Sequence, residues 1–223
     1  MINLHISKRL KTIASFIDKD DKTIYDVGCD HALLDIYLAN KYKNISFYAM
    51  DISPKCIEKA NENIKKYDFT DRIKTIINDG LKNIELSNGS TLIISGMGAH
   101  TIINILNNCD IKKFKKIIVQ SNNDLELLRR QIVSIGFLIK NEVTVFDKKH
   151  YVIILFTPGK GDYSVAEYVY GPELLKNINA NRTYFQFLYD KYNQIYKNIP
   201  FLKVYSKLKL FFAKNKIKKL LKK

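Results

Sequence analysis

A short segment near the start of the chain combines acidic side chains with a glycine where a strand is predicted to turn into a helix. Asp26 ends a β-branched run, Gly28 follows two places later, and an apolar helical pattern begins at Ala32. This order is typical of the first βα turn of a doubly wound α/β domain. In such domains ligands bind beyond the carboxyl ends of the strands, and a glycine lets the backbone approach a cofactor closely. The segment is therefore a candidate nucleotide site, with an ordinary turn that binds no ligand as the alternative.

The residues that this turn lacks narrow the class of nucleotide. The dinucleotide fingerprint needs glycines two and five positions after Gly28, and Asp30 and Leu33 stand there instead. The chain also lacks a P-loop, in which the glycines end in Lys-Ser or Lys-Thr. The segment therefore argues against NAD and against an NTPase. It favours a cofactor that contains an adenosine and a cationic amino acid but no phosphate, and S-adenosylmethionine fits that description.

Two further acidic residues stand where the next two predicted strands end. Asp51 lies 23 residues after Gly28, close to the roughly 20 at which nucleotide-binding domains place the carboxylate that binds ribose. Its neighbour Ile52 belongs to the same candidate site, and capping of the following helix is the alternative role for Asp51. Asp79 would accept a hydrogen bond from the adenine amino group while the backbone at Gly80 packs on the ring, although Asn-Asp-Gly is also an ordinary turn sequence.

Two more segments complete the candidate cofactor site. Gly96, Met97 and Gly98 follow a fully apolar strand, and glycines there would let the backbone line a pocket beside the reacting methyl group. The alternative is a plain glycine turn into the next helix. Arg9, on a predicted N-terminal helix, would either reach the carboxylate of the cofactor or lie in solvent.

Seven predicted strands, with helical patterns between them, must position these residues. The last two form an antiparallel hairpin with its turn at residues 147–150, and a helix over residues 4–17 covers one edge of the sheet. Ser53 and Pro54 start one helix, and Asp124 caps another that Gly136 ends. We predict a Rossmann-like class I methyltransferase domain, with a seven-stranded, mostly parallel sheet, over residues 1–158. The predicted strands are residues 23–26, 45–50, 73–77, 91–95, 116–120, 137–146 and 151–156.

The pattern changes to long amphipathic helices over residues 159–223. Apolar residues at three-four spacing run from Leu174 to Tyr196, Pro200 interrupts the run, and a second helix extends from Leu202 to Leu220. Two such helices with a short break between them predict an antiparallel, coiled-coil-like hairpin. Residues 203–223 hold nine lysines and no carboxylate, so the hairpin is predicted to bind RNA phosphates. A membrane surface and a partner helix are the alternatives.

Composition supports a basic, intracellular protein. The net charge is +15, of which +10 lies in residues 164–223. Lysine outnumbers arginine 32 to 5, as an AT-rich coding bias would produce, so the position of the charge is more informative than its total. No apolar run reaches the roughly 20 residues of a membrane span, and no signal peptide is apparent. Three widely spaced cysteines indicate neither a disulfide framework nor a metal site. We expect a cytoplasmic monomer that does not contact membranes.

Taken in order, these motifs resemble the TrmK family of bacterial tRNA (adenine-22-N1)-methyltransferases. The resemblance spans roughly residues 6–155, and the basic helical tail matches the appendage of the family in type. Ala99, Ser121 and Asp35 depart from the family pattern, where a glycine and two prolines are usual; the small side chains at 99 and 121 predict altered loop stiffness and retained chemistry. The segments that carry the resemblance are residues 7–10, 26–32, 78–80, 95–98, 120–122 and 151–153.

The resemblance implies S-adenosylmethionine-dependent methylation of N1 of adenine 22 in tRNA. Neutral adenine has a lone pair at N1, so no strong base is needed, whereas the product ring is cationic and a nearby carboxylate would stabilise it. We therefore expect Asp30 and His31 beside the reacting methyl group and Asn122 in the base pocket. The alternatives are methylation of another RNA position, of a small molecule or of a protein, and a non-catalytic RNA-binding protein with a degenerate methyltransferase fold.

Overall fold

Seven strands form a single mixed sheet in the computed structural model, which describes residues 4–200 and 204–222. The strand order is β3-β2-β1-β4-β5-β7-β6; the first five strands along the sheet are parallel, and β7 is antiparallel to both β5 and β6. The order reverses beside β1, which is where doubly wound sheets bind ligands. The predicted seven-stranded, mostly parallel sheet is confirmed. The strands are β1 (Thr23–Val27), β2 (Ser46–Asp51), β3 (Ile73–Ile77), β4 (Ser90–Met97), β5 (Phe114–Ser121), β6 (Phe137–Asp147) and β7 (Lys149–Pro158).

Five helices connect or flank the strands, and two of them begin at the predicted capping residues Ser53 and Asp124. The Ser53 hydroxyl accepts a hydrogen bond from the Cys56 amide (3.4 Å), and Asp124 accepts one from the Leu127 amide (3.3 Å). The helix predicted over residues 4–17 is wrong at both ends, because the Ser7 hydroxyl caps a shorter helix by accepting from the Leu10 amide (3.3 Å). The helices are α1 (Lys8–Ala14), α2 (Leu33–Lys41), α3 (Pro54–Lys66), α4 (Ala99–Asn107) and α5 (Leu125–Ser134).

Four more helices follow the last strand: α6 (Val165–Tyr170), α7 (Pro172–Lys176), α8 (Arg182–Asn198) and α9 (Val204–Leu220). The apolar run predicted as one helix from Leu174 is therefore two helices with a turn between them. The side chain of Lys214 on α9 bonds Asn193 on α8 (3.1 Å), and that of Arg182 bonds the Leu221 carbonyl (2.7 Å). These pairs show that α8 and α9 are antiparallel, as predicted. Leu202, the predicted start of the second helix, lies outside the described residues.

The helices after residue 158 share a hydrophobic core with one face of the sheet. Tyr170, Leu174, Phe185 and Ile217 are buried in the same cluster as Tyr25 of β1. The opposite face of the sheet packs against α1, α2 and α3. The division into residues 1–158 and 159–223 stays a prediction, but α6, α7 and the first turn of α8 pack on the sheet domain. Within the described residues, no helix combines the length and the apolarity needed to cross a membrane.

A buried ion pair between α5 and β6 also forms hydrogen bonds to α6 and α7. The side chains of Arg129 and Glu142 are fully buried, and Arg129 Nε lies 2.7 Å from Glu142 Oε1. Arg129 also donates to the Tyr168 and Val169 carbonyls at 2.9 and 3.2 Å, and Glu142 accepts from the Glu173 amide at 3.1 Å. Burial raises the pKa of Glu142, while the Arg129 charge opposes that shift.

Candidate active site

A cavity of about 330 Å³ opens at the carboxyl ends of β1, β2 and β4. It lies where the strand order reverses, so its position agrees with the rule for ligand sites in such sheets. Eight of the twelve predicted site residues line it: Arg9, Asp26, Gly28, Asp30, His31, Asp51, Gly96 and Met97.

The β1–α2 turn lies tight against the β4 loop at the floor of this cavity. Gly28 has φ +79°, a left-handed conformation that strains any residue with a side chain, and a Cβ atom there would displace the terminal methyl group of Met97. Asp30 and Ala32 are also left-handed, with φ 54° and 55°. Left-handed non-glycine residues cluster at functional sites, since surrounding structure must hold them in place. The Asp30 side chain is 77% exposed and its carboxylate lies 3.1 Å from the His31 ring.

A pair of carboxyl groups lies beneath the cavity. Asp26 and Asp35 are buried and contact each other, and Asp35 has no basic or hydroxyl partner among the described side chains. Burial raises the pKa of Asp26 to about 7. Burial, followed by the Asp26 charge, raises the pKa of Asp35 well above its usual range. Two adjacent buried carboxyl groups cannot both ionise cheaply, so the pair holds a proton between its oxygens.

The proton on this pair should make folding stability pH-dependent. The folded chain retains a proton that the unfolded chain releases above about pH 4. The contribution to stability is therefore complete below that pH and is lost as the pH rises towards about 7. Asp35→Asn keeps the shape but cannot ionise, so we expect a melting temperature about 3–6 °C higher at pH 8 and a flatter profile from pH 4 to 7. Circular dichroism melts of both proteins would measure this, and an unchanged profile would contradict it.

Arg9 reaches the cavity from α1 and is held by hydrogen bonds to residues of β4, β5 and β6. Its guanidinium donates to the Ser95 hydroxyl and to the Gln120 side-chain oxygen, both at 3.1 Å. Its amide donates to Asp147 at 3.0 Å, which helps to hold the pKa of Asp147 below its usual range. The cation is therefore oriented towards the ends of β4 and β5 before any ligand binds.

Asn122 does not line the cavity but holds the loop that does. Its side-chain amide donates to the Gly96 carbonyl at 2.6 Å, and its backbone amide donates to the Met97 carbonyl at 2.8 Å. Gln120 braces the same loop by accepting from the Gly96 amide at 3.1 Å. Asn122 itself faces a neighbouring groove, so it lies between the two cavities.

Ile52, Asp79 and Gly80 also lie outside the cavity lining. The β3 end is close to it, since the Asn78 amide donates to the Asp51 carbonyl at 3.0 Å. Asp79 pairs with Lys82, and a Cβ on Gly80 would meet the Ile105 side chain at 2.9 Å. The observed role of Gly80 is thus close packing of the turn on α4. Cofactor contacts for Ile52, Asp79 and Gly80 stay predictions.

Five lining residues were not selected from the sequence as site residues. Ser95 had a signal, because it is the polar end of an apolar strand directly before Gly96. The other four are apolar residues or a thiol, and these residue types do not by themselves indicate a binding role. Burial raises the pKa of Cys29, so its thiol is unreactive. The five are Leu10, Cys29, Leu33, Leu34 and Ser95.

Comparisons with known proteins agree with this geometry. Residues 6–155 match the family described as methyltransferase domain. The structure of TrmK from M. capricolum with S-adenosyl-homocysteine is 31% identical; the alignment covers 97% of this chain and 98% of that one, with a TM-score of 0.84. A Streptococcus pneumoniae protein, provisionally identified as a tRNA (m1A22) methyltransferase and complexed with S-adenosyl-L-methionine, is 26% identical over 97% and 100% of the chains, with a TM-score of 0.86. A Mycoplasma genitalium protein, provisionally assigned as a tRNA methyltransferase, is 28% identical over 76% of this chain and 79% of its own.

Proposed function

The chain belongs to the methyltransferase-domain family and, within it, to the TrmK family, and from this membership we propose that it methylates N1 of adenine 22 in tRNA with S-adenosylmethionine. The observation that carries the proposal is the cavity at the strand ends, lined by Asp26, Asp51 and a glycine loop, in a chain 31% identical to a TrmK with bound S-adenosyl-homocysteine. Three of the six segments that carry the sequence resemblance, residues 7–10, 26–32 and 95–98, contribute side chains or backbone to the cavity.

The charges around the cavity fit a cofactor that carries a cationic amino acid and a ribose. One oxygen of Asp51 accepts from the Ser53 amide at 2.9 Å, which orients the carboxylate and leaves the other oxygen for a ribose hydroxyl. Asp26 would ionise against the cationic amino group, since an opposite charge lowers a raised carboxyl pKa. Arg9 would bind the carboxylate of the amino acid. S-adenosylmethionine, when bound, supplies the electrophilic methyl group on its sulfonium.

The side chains at the mouth of the cavity would act on the adenine. N1 attacks with its own lone pair, so alignment of the ring is the main requirement. As positive charge develops on the ring, the exposed Asp30 carboxylate stabilises it, with His31 beside it. Asn122 and the Gly96 backbone shape the base pocket. N1 lies on the Watson–Crick edge, so a paired target must first be exposed at a cost of a few kcal/mol.

The lysines at the end of α9 and directly after it would hold the tRNA backbone. Replacing Lys218, Lys219 and Lys222 by glutamine removes three exposed charges. We expect tRNA affinity to fall about 10-fold near 0.1 M salt and the slope of log affinity against log salt to fall by 2–3, at roughly 0.7–0.9 per phosphate. Filter binding across a salt series measures both, and an unchanged slope would remove these lysines from the interface.

A matched control separates local contact from total charge. Gln replacements at Lys65, Lys66 and Lys74, exposed on α3 and β3, change the net charge equally and should leave the slope almost unchanged. Charge neutralisation is preferable to deleting the helical segment, because deletion would expose the core around Leu174 and Phe185.

The direct test is to incubate the protein with labelled S-adenosylmethionine and unmodified tRNA. We expect label in 1-methyladenosine at nucleotide 22, and none in a tRNA with guanine there. Label elsewhere in tRNA would indicate another position. Methylation of a small molecule or a protein at the same rate with and without the α9 lysines would indicate another substrate class. Failure to bind the cofactor in calorimetry would indicate a non-catalytic RNA-binding protein. A tRNA substrate implies that the reaction takes place in the cytoplasm.

A further inference from the structure

A groove outside the cofactor cavity runs along α8. Two cavities of about 360 and 890 Å³ lie along it and share three lining residues, His150, Phe187 and Lys191. Its walls are the loop after β5, the start of β7 and one side of α8. The groove is therefore bounded partly by the sheet and partly by the helical hairpin.

Stacked aromatic rings form the middle of this groove. The His150 and Phe187 rings are stacked, with centroids 4.8 Å apart and planes at 28°. Phe146 packs edge-on against His150, with the ring centroids 5.0 Å apart. Phe187 remains 38% exposed and Phe146 58% exposed. Burial lowers the pKa of His150, so near neutral pH the stack is an uncharged surface with ring area in contact with solvent.

Basic side chains lie beside the stack, although the lining itself is balanced in charge. Lys149, Lys191 and Arg182 line the groove. Three acidic residues line it too: Glu126 pairs with Arg130 at 2.9 Å, Asp190 accepts from Gln186 at 3.1 Å, and Asp124 caps α5. The attraction for a polyanion therefore comes from the net charge of +15 on the whole chain. A surface that combines aromatic faces with basic side chains is the usual design for single-stranded nucleic acid.

The groove also adjoins the cofactor cavity. Asn122 lines the groove, and its side chain bonds the carbonyl of Gly96, which lines the cavity. A strand whose target base enters the cavity would therefore pass its neighbouring nucleotides along the α8 groove.

We propose that the stacked rings of His150 and Phe187, with Phe146 behind them, bind an unpaired base of the RNA next to the base that is methylated. This inference rests on the proposed function and specifies how its substrate is held. We call the His150 and Phe187 rings, with Phe146, the stacking platform. It would keep the target base unpaired after its base pair is broken, because the base next to the target gains a ring to stack on. Stacking of this kind tolerates any base, so the platform contributes affinity and leaves the choice of nucleotide to the cavity.

The test compares Phe187→Leu with Phe187→Trp. Leucine keeps the apolar volume but loses the ring face, so we expect tRNA affinity to fall about 10-fold and KM for tRNA to rise accordingly. Tryptophan keeps a ring and should stay within about 3-fold of the parent. Cofactor affinity by calorimetry should be unchanged in both. The matched control is Tyr67→Leu, which removes a ring that lies beside Lys66 (5.3 Å) at the end of α3, outside the groove, and should bind tRNA normally.

The outcomes separate this inference from the function on which it rests. If the parent protein methylates tRNA and Phe187→Leu binds it equally well, the platform is wrong and the function stands. Equal losses with leucine and tryptophan would assign Phe187 to packing and also overturn the platform. If the parent neither binds nor methylates tRNA, both proposals fail. A substrate with abasic nucleotides beside the target provides a second readout, since the Phe187→Leu effect should vanish when the stacked base is missing.

Discussion

Replacing Asp30 with asparagine is expected to lower the rate of methyl transfer to tRNA by about 10²-fold or more, the size of loss seen when one charge-stabilising group is removed from an active site. The carboxylate is exposed at the mouth of the cavity, next to His31, where positive charge would develop on the adenine ring. Single-turnover kinetics with saturating cofactor and tRNA would measure the loss directly.

The choice of asparagine matters because Asp30 has φ 54°. Asparagine tolerates the left-handed region, whereas alanine there costs roughly 1–2 kcal/mol of strain and would mix a loop effect with a charge effect. Asp30→Ala should also lose activity, and cofactor affinity should stay within a few fold in both variants. Normal turnover by Asp30→Asn would exclude Asp30 from the mechanism.

Replacing Glu142 with alanine is expected to destabilise the protein by about 3–5 kcal/mol, because the Arg129 cation would remain buried without its partner. Arg129 is fully buried, and the pair links four helices and strands, so the loss should appear as a lower melting temperature, by roughly 10 °C, and a lower urea midpoint.

Two comparisons test the cause of that loss. Glu126→Ala breaks the partly exposed Glu126–Arg130 pair, four residues apart on α5, and should cost less than about 1 kcal/mol. The double change Arg129→Met with Glu142→Leu removes both charges together and should be far less harmful than Glu142→Ala alone. Similar losses for Glu142→Ala and Glu126→Ala would contradict the buried-charge argument.

The sheet could be predicted from the sequence because its strands are apolar runs bounded by turn residues. β3 has the predicted bounds, and β4 and β5 extend the predicted strands by one or two residues at each end. The acidic residues at the ends of β1 and β2 were found for the same reason, since a carboxylate directly after an apolar strand is conspicuous. Their meeting at one cavity follows from parallel pairing, which aligns the carboxyl ends of the strands.

The features missed in the sequence depend on which polar side chains are buried. Asp35 and Arg129 stand in helices, where a charged residue normally faces solvent, yet both are fully buried. The short helix α6 has a capping box, in which Ser164 and Glu167 bond each other, and this signal was present in the sequence. Gly171, between α6 and α7, and Pro172, the first residue of α7, mark this boundary in the sequence as helix-breaking and helix-starting residues.

The core that the sheet shares with the helices after β7 fixes the direction in which the helical arm leaves the body of the enzyme. Phe185 is buried near the first turn of α8 and Ile217 near the last turn of α9. The helical arm formed by α8 and α9 is therefore packed on the sheet domain at the end where α8 begins and α9 ends. Each helix has 17 residues, which at 1.5 Å per residue gives a reach of about 25 Å. The distance from the cofactor cavity to the distal ends of α8 and α9 is therefore set by helix length, and one extra helical turn in each helix would add about 5 Å to it.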